Sequence, residues 1–174
     1  MTARLMPDTQ APALDLPLVG GGRFSLAGAR PAAMSMLVFY RGYHCPLCKS
    51  YMGKLESLAG DFRAKGIEPV AVSMDGEERA AAARREWGLT SIPVAYGLSE
   101  AGARAWGLWI STSVKEGEAE VFIEPGMFWV RPDGRLYLID ISNMPFARPD
   151  LDLLLSGAAL ATENDYPARG TRAG

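Results

Sequence analysis

The pattern of apolar positions divides the chain into short apolar runs and helical stripes. Residues 34–40 (MSMLVFY) form an almost continuous apolar run. Its length and its aromatic and β-branched residues predict a fully buried strand. After it, apolar residues recur every three or four positions, which predicts an amphipathic helix. Pro46 suits the first turn of this helix and Gly66 its end. The apolar stripe consists of Leu47, Tyr51, Leu55, Leu58 and Phe62.

Further along, the same criteria predict a second strand, a second helix, a short extended piece and a third helix with Ser99 as N-cap. These segments are residues 67–74, 77–87, 93–96 and 99–106. Residues 127–130 and 136–141 flank an Arg-Pro-Asp-Gly turn and predict a strand–turn–strand unit. A last helix is predicted over residues 149–160. Residues 111–126 are polar and only partly alternating, so we expect an insertion that ends in a loop.

The two ends of the chain are less regular. Residues 1–30 combine prolines, a Gly-Gly-Gly turn and short apolar pieces, which predicts a hairpin-like segment. Residues 162–174 are expected to form a loosely ordered tail. Strands alternating with helices, followed by a hairpin and a helix, predict an α/β layer fold. We expect one domain over residues 1–174, with its core at about 10–160.

Composition and charge exclude several classes of function. The chain has 174 residues, 48% of them hydrophobic, and 18 Lys and Arg against 20 Asp and Glu. The near-neutral charge gives no basic surface for nucleic acid. No apolar run approaches the roughly 18 residues of a membrane span, and no secretory signal is visible at the start. We therefore expect a cytoplasmic protein with neither a nucleic-acid nor a membrane partner.

The only two cysteines, Cys45 and Cys48, lie where the buried strand meets the first helix. Free N–H groups at a helix start stabilise a thiolate. Residues three apart on a helical turn have Cβ atoms roughly 5–6 Å apart, so a modest adjustment would close a disulfide. This context favours a redox-active pair. Two buried structural thiols are one alternative. A zinc site shared between subunits is another, since zinc usually takes four ligands.

Several neighbouring residues could support this chemistry. Arg41, His44 and Lys49 could add positive charge near the thiols. His44, the only histidine, could instead transfer protons or simply face solvent. Tyr40 and Tyr43 could line a substrate groove, although core packing is the expected role of Tyr40. We expect no metal ion at this site.

Short segments spread over the chain carry a family resemblance. They are PALDL at 12–16, GRFSL at 22–26, VAVSMD at 70–75, WGL with IPV between 87 and 94, and FWVRPDGR at 128–135. In order and spacing, over roughly residues 10–158, they resemble the thioredoxin-like superfamily and its alkyl hydroperoxide reductase/thiol-specific antioxidant (peroxiredoxin-like) group. The resemblance implies a thioredoxin-like fold, with a central mixed sheet flanked by helices and an N-terminal hairpin extension.

Two active-site patterns of this superfamily fit the same residues. The peroxiredoxin pattern F-Y-P-x-x-x-T-x-x-C, laid on Phe39 and Tyr40, puts the attacking thiol at Cys48. Arg41 then replaces the proline. Cys45 replaces the threonine whose hydroxyl positions the peroxide, and it could act as a resolving thiol.

Residues 43–49 instead resemble the thioredoxin site W-C-G-P-C-K, with Cys45 as nucleophile and Cys48 as resolving thiol. Relatives with that site place a cis-proline opposite the pair, and Pro125 stands at that position. Many peroxiredoxins carry an arginine near there, and this chain does not.

The resemblance implies a thiol-dependent oxidoreductase that cycles Cys45 and Cys48 to reduce peroxides or disulfides in an antioxidant role. It would need no bound cofactor, only an external thiol reductant such as thioredoxin or glutathione, and it could form a homodimer. The alternative is a non-catalytic redox-sensing or partner-binding module on the same fold. The sequence leaves open which cysteine attacks.

Overall fold

A computed structural model describes residues 4–172, which contain nine strands and four helices. In chain order these elements are β1 (Asp15–Pro17), β2 (Arg23–Ser25), β3 (Met34–Phe39), α1 (Pro46–Ala64), β4 (Ile67–Val72), α2 (Glu77–Glu86), β5 (Val94–Ala95), α3 (Glu100–Ala105), β6 (Ile110–Thr112), β7 (Val121–Ile123), β8 (Gly126–Val130), β9 (Leu136–Ile141) and α4 (Leu151–Thr162).

Five strands form a mixed central sheet in the order β5-β4-β3-β8-β9. Strand β3 pairs in parallel with β4 and antiparallel with β8, while β4 and β5 are parallel and β8 and β9 antiparallel. The central position of β3 explains its sequence, because all six of its residues are buried and both of its faces need apolar side chains. The predicted mixed sheet flanked by helices is confirmed.

Alternate residues of the sheet build two separate cores. Side chains of one strand point to opposite faces, so Met36 and Val38 pack with inward residues of α1, α2 and α4. Leu37 and Phe39 pack on the opposite face with α3 and with the N-terminal hairpin of β1 and β2. Both cysteines belong to the first core. This core therefore carries the candidate chemistry.

Helix α1 begins and ends where the sequence predicted. Pro46 occupies its first turn, and the Cys45 side chain accepts a hydrogen bond from the backbone of Cys48 as an N-cap. The helix gives way to Gly66, whose φ is +76°. A Cβ at Gly66 would lie 3.0 Å from the backbone N of Ala33, so both the left-handed conformation and the close approach require glycine.

The other predicted elements differ from the structure by a few residues at their ends. Ser99 caps α3 by accepting a hydrogen bond from the backbone N–H of Gly102 at 3.0 Å. The antiparallel pairing of β1 with β2 confirms the N-terminal hairpin. No helix or strand follows α4 as far as residue 172; loose order of the tail stays a prediction, and the chain's first three and last two residues lie outside the described part. No helix in the described range is long and apolar enough to cross a membrane.

One element was missed in the segment that we expected to be a loop. Strands β6 and β7 form an antiparallel hairpin within residues 110–123. Each strand is only three residues long, so the alternation that marks a strand is too short to detect. Tertiary packing stabilises the hairpin, since Phe122 is buried and its ring contacts that of His44, with a centroid distance of 4.7 Å.

Candidate active site

The two cysteines lie at the start of α1, against the carboxyl end of β3. Neither forms a disulfide, and their exposed fractions are 1% for Cys45 and 0% for Cys48. The backbone N–H of Cys48 donates to the Cys45 sulfur at 3.2 Å. Cys45 thus satisfies one of the otherwise unpaired N–H groups at the helix start.

The loop before Cys45 is fixed by the buried carboxylate of Asp75, which follows β4. Its Oδ2 accepts a hydrogen bond from the Tyr43 backbone N–H at 2.7 Å, and its Oδ1 lies 3.3 Å from Arg79 Nε. Gly42 has a φ of +135°, and a Cβ there would lie 2.8 Å from the Asp75 carboxylate. The loop can take this path only with glycine at position 42.

Each sulfur has its own arginine. Arg41 Nη1 lies 3.9 Å from the Cys45 sulfur, and Arg148 Nη2 donates to the Cys48 sulfur at 2.8 Å. Arg148 also donates to the Leu47 carbonyl and packs over the Tyr51 ring, 5.1 Å from its centroid. Arg41 was among the predicted neighbours, whereas Arg148 was missed.

No local signal could have found Arg148. It lies 100 residues from Cys48 along the chain, within an ordinary loop before α4. Only tertiary packing brings it to the site, partly through the hydroxyl of Tyr51, which donates to the Pro149 carbonyl at 2.8 Å.

The two thiols differ in their acidity. The pKa of Cys45 falls from 9.0 to about 5, because the thiol and the backbone N–H of Cys48 and the guanidinium of Arg41 all donate to its sulfur. Burial raises the pKa of Cys48, and a negative Cys45 raises it further. The nearby Arg148 lowers the pKa of both thiols. We assign the charge to Cys45, because its sulfur receives hydrogen bonds from the thiol and the backbone N–H of Cys48 and from Arg41.

His44 is neutral at pH 7 and adds no positive charge near the thiols, which was one of the roles that the sequence left open. Burial, together with Arg41 and Arg79, lowers its pKa to about 4. Its Nδ1 lies 3.5 Å from Arg79 Nη2, and its ring meets Phe122 edge-on. Lys49 is exposed on α1.

The two tyrosines do not line an open groove beside the sulfurs. Tyr40 is buried and packs against Trp87 at a centroid distance of 5.5 Å, in the same core as the cysteines. Tyr43 turns toward α2, where its hydroxyl donates to Glu86 at 2.6 Å. The core role expected of Tyr40 fits the structure, while substrate binding by Tyr43 finds no support in its contacts.

Pro125 does not have the cis peptide bond that we expected. All peptide bonds within residues 4–172 are trans. The chain passes here directly from β7 into β8, and hydrogen bonds hold both sides: Glu124 N donates to the Trp109 carbonyl at 2.8 Å, and Ser142 N to the Pro125 carbonyl at 3.0 Å. An extended path of this kind suits the trans form, which most X–Pro bonds prefer. Pro125 nevertheless borders a small cavity beside Arg148.

A metal centre finds no support in the geometry. Within residues 4–172, no group of three or more His, Cys, Asp or Glu side chains is arranged to hold a metal ion. The site instead offers a low-pKa sulfur, a second thiol that donates a hydrogen bond to it, and two cations. Such an arrangement suits nucleophilic attack and disulfide formation.

Comparison with known proteins finds a matching family and curated relatives. The family model of the AhpC/TSA family matches residues 7–139. Two curated relatives from Mycobacterium tuberculosis, strains CDC 1551 and H37Rv, have names that assign them provisionally to the peroxiredoxins. Each is 33% identical over 106 residues, or 61% of this chain. The match spans 66% of each relative, just under two thirds of its length.

Solved structures share the fold at low sequence identity. The peroxidoxin BcpB from Mycobacterium tuberculosis is 17% identical, with a TM-score of 0.70 over 93% of this chain and 98% of that one. A reduced 2-Cys peroxiredoxin from Plasmodium vivax is 13% identical, with a TM-score of 0.76 over 93% of this chain and 84% of that one. The fold is therefore thioredoxin-like, as the resemblance implied.

Proposed function

Because the chain belongs to the AhpC/TSA family, we propose that it is a thiol-dependent peroxidase of the peroxiredoxin type that cycles Cys45 and Cys48 between a dithiol and a disulfide. One observation carries the proposal: the Cys45 sulfur accepts the Cys48 N–H at 3.2 Å, and each sulfur has its own arginine. This arrangement stabilises one thiolate and keeps the second thiol adjacent to it.

The reaction begins at Cys45. Its thiolate attacks one peroxide oxygen, the O–O bond breaks, and the other oxygen leaves as water or an alcohol after taking up a proton. Cys45 becomes a sulfenic acid. The Cys48 sulfur then attacks the Cys45 sulfur and water is released, which leaves a disulfide. An external thiol supplies two electrons and two protons to restore the dithiol.

Burial of the sulfurs favours a small oxidant over a protein disulfide. With exposed fractions of 1% and 0%, neither sulfur can meet the disulfide of a folded protein without movement of its surroundings. A peroxide is far smaller than a folded protein and needs much less movement of the surroundings to reach a sulfur. The site needs no prosthetic group for these steps. A thioredoxin or glutathione as reductant, a cytoplasmic location and a homodimer stay predictions.

The opposite order of attack has one observation in its favour. Arg148 Nη2 lies only 2.8 Å from the Cys48 sulfur, and the peroxiredoxin pattern puts the attacking thiol at that position. A cation this close could stabilise a Cys48 thiolate if Cys45 were neutral. The order therefore needs a direct test.

Trapping the sulfenic acid in single variants separates the two orders. Cys45→Ser and Cys48→Ser are each treated with one equivalent of hydrogen peroxide and a dimedone-type trap, and the labelled residue is found by mass spectrometry. We expect label on Cys45 in the Cys48→Ser protein. Label confined to Cys48 in the Cys45→Ser protein would reverse the order, and no label in either variant would contradict a peroxidase.

The non-catalytic alternative is tested by turnover. A redox-sensing module would keep the pair reduced at the potential of the cell or, once oxidised, would show no turnover with thioredoxin or glutathione. We expect sustained consumption of peroxide with one of these reductants. A single oxidation without turnover under either would favour the sensing role.

A further inference from the structure

Glu124 is a buried carboxylate between β7 and β8, with an exposed fraction of only 4%. A buried charge is costly unless it is paired and hydrogen-bonded. The Glu124 side chain has partners on both sides. Its Oε1 accepts a hydrogen bond from the Ser111 hydroxyl at 2.7 Å, and its Oε2 lies 3.0 Å from Arg41 Nε.

The hairpin of β6 and β7 holds this carboxylate in place. Ser111 lies in β6, and the backbone N–H of Glu124 donates to the Trp109 carbonyl at 2.8 Å, just before that strand. Contacts from the β6 side of the hairpin thus fix both the side chain and the backbone of Glu124. The carboxylate is anchored independently of Arg41.

Arg41 reaches Cys45 from the opposite end of the same guanidinium. Its Nη1 lies 3.9 Å from the Cys45 sulfur, while its Nε faces Glu124. The central carbon of the Arg41 guanidinium lies over the Phe122 ring, 4.8 Å from the ring centroid. Glu118 forms a longer ion pair with Arg41, at 3.8 Å. Because the guanidinium is a rigid planar fork, holding its Nε also restricts where its Nη1 can point.

We propose that Glu124 is a positioning residue that holds the Arg41 guanidinium against the Cys45 sulfur. The inference rests on the proposed function in that Cys45 is the reacting thiolate. Glu124 touches neither sulfur through any hydrogen bond within the described residues, so its effect passes through Arg41. Its shortest contact with Arg41 is an ion pair whose N–H is not aligned for a hydrogen bond.

Two effects of Glu124 on Cys45 have opposite signs. Its negative charge would by itself disfavour a nearby thiolate, whereas its hold on Arg41 favours one. The other groups that face Cys45 are Cys48 and Arg148, with His44 neutral beside it. We expect the hold on Arg41 to dominate, because Arg41 donates directly to the sulfur and the carboxylate does not.

The test titrates the thiolate of Cys45 by its ultraviolet absorbance in a Cys48→Ser background, where Cys45 is the only thiol. Glu124→Ala is compared with Arg41→Ala and with the double variant. We expect Glu124→Ala to raise the titration midpoint by about one pH unit. This is the order expected when the Cys45 thiolate loses its hydrogen bond from Arg41. In the Arg41→Ala background, it should change the midpoint little or lower it.

The outcomes are distinct. An unchanged or lower midpoint in Glu124→Ala, or an equal rise with and without Arg41, would overturn the proposal. Should Glu124→Ala fail to fold, Glu124→Gln keeps the shape and a hydrogen bond for Ser111, and it should raise the midpoint by a smaller amount. Glu68→Gln is the control, because Glu68 is an exposed carboxylate that also pairs with an arginine, Arg63 at 3.1 Å, and its loss should leave the midpoint unchanged.

This experiment is independent of the proposed activity. The titration needs neither peroxide nor turnover, so coupling between Glu124 and Arg41 can be present in a protein that reduces no peroxide. Conversely, peroxide reduction with no coupling would leave the proposed function intact and remove the role assigned to Glu124.

Discussion

At the scale of single residues, the site separates two chemically identical side chains. Cys45 caps a helix, accepts the Cys48 N–H and has Arg41 nearby. Cys48 is fully buried, and its cation is Arg148. These environments favour a thiolate on the first sulfur and a thiol on the second. The pair is thus prepared for attack by one sulfur and resolution by the other.

The lowered pKa of Cys45 predicts an unusual pH dependence of alkylation. Only the thiolate reacts, so the rate for Cys45 should rise about tenfold per pH unit below its pKa of about 5 and be nearly constant from pH 6 to 8. Iodoacetamide labelling of the reduced wild-type protein, followed by mass spectrometry that assigns the label to Cys45, measures the rate. A rate still rising steeply between about pH 7 and 9 would show an ordinary thiol.

Replacing Arg148 should slow the formation of the disulfide that follows the reaction with peroxide. Arg148 lies 2.8 Å from the Cys48 sulfur and lowers the pKa of that thiol, so Arg148→Ala makes Cys48 a weaker attacking group. A hydrogen bond to a charged group contributes about 1.5–3 kcal/mol, so we expect the first-order rate constant of disulfide formation, measured by stopped-flow fluorescence, to fall roughly 10- to 100-fold.

Arg131→Ala is the matched control for this prediction. Arg131 also packs over a tyrosine, 4.9 Å from the Tyr137 ring centroid, and pairs with Asp8, but it contacts neither sulfur. We expect it to keep the wild-type rate constant. Equal losses in the two arginine variants would indicate a general effect of lost packing.

At the scale of elements, helix α1 carries the site and is fastened to the rest of the fold by Glu56. The Glu56 carboxylate accepts hydrogen bonds from the backbone N–H groups of Thr90, Ser91 and Ile92 and from the Thr90 hydroxyl, at 2.7–3.1 Å. These contacts connect the middle of α1 to the segment before β5. They lower the pKa of Glu56 despite its partial burial.

Glu56→Gln should reduce the free energy of unfolding by about 1–3 kcal/mol at neutral pH, because several donors lose a charged acceptor. The folded-state pKa is lowered, so this contribution is present above the unfolded pKa of about 4.3 and is lost as pH falls through the folded value. Urea unfolding of both proteins, from about pH 7 down to pH 3, measures the difference. A difference that grows toward acid would contradict this assignment.

Glu68→Gln provides the comparison for Glu56. Glu68 is exposed and pairs with Arg63 at 3.1 Å, and exposed ion pairs contribute about 0–1 kcal/mol. We expect a small change in the free energy of unfolding. If Glu68→Gln reduced the free energy of unfolding as much as Glu56→Gln, the backbone contacts of Glu56 would contribute no more than an exposed ion pair.

The elements also mark how far sequence could predict this protein. Strand β3, helix α1 and the position of the cysteine pair were evident, because burial and helical periodicity are local signals. The hairpin of β6 and β7 was not, since each strand is only three residues long, and contacts such as those of Phe122 and Glu124 with Arg41 exist only in the folded chain. Arg148 could not be singled out among 18 Lys and Arg, because only the folded chain brings it to Cys48.

At the scale of the whole molecule, the central sheet joins two apolar cores into one structure. Residues of β3 alternate between the cores, so loss of this strand would expose both at once. A shared strand of this kind favours cooperative unfolding. One domain over residues 1–174 stays a prediction.

We therefore predict one unfolding transition for the reduced protein. Far-ultraviolet circular dichroism, which reports helices and strands, and tryptophan fluorescence, which reports the packing of the cores, should give coincident urea curves. Trp106 belongs to one core and Trp129 to the other, so fluorescence samples both. Two separate midpoints would show that the cores unfold independently.

Peptide mapping of the wild-type protein after oxidation tests the central claim most directly. Reduced protein is treated with one equivalent of hydrogen peroxide, and the products on each cysteine are identified by mass spectrometry before and after addition of dithiothreitol. We predict an intramolecular disulfide between Cys45 and Cys48 that dithiothreitol reverses and that forms again in a second round. Two cysteines that remain reduced, or sulfinic acid without any disulfide, would contradict the cycle.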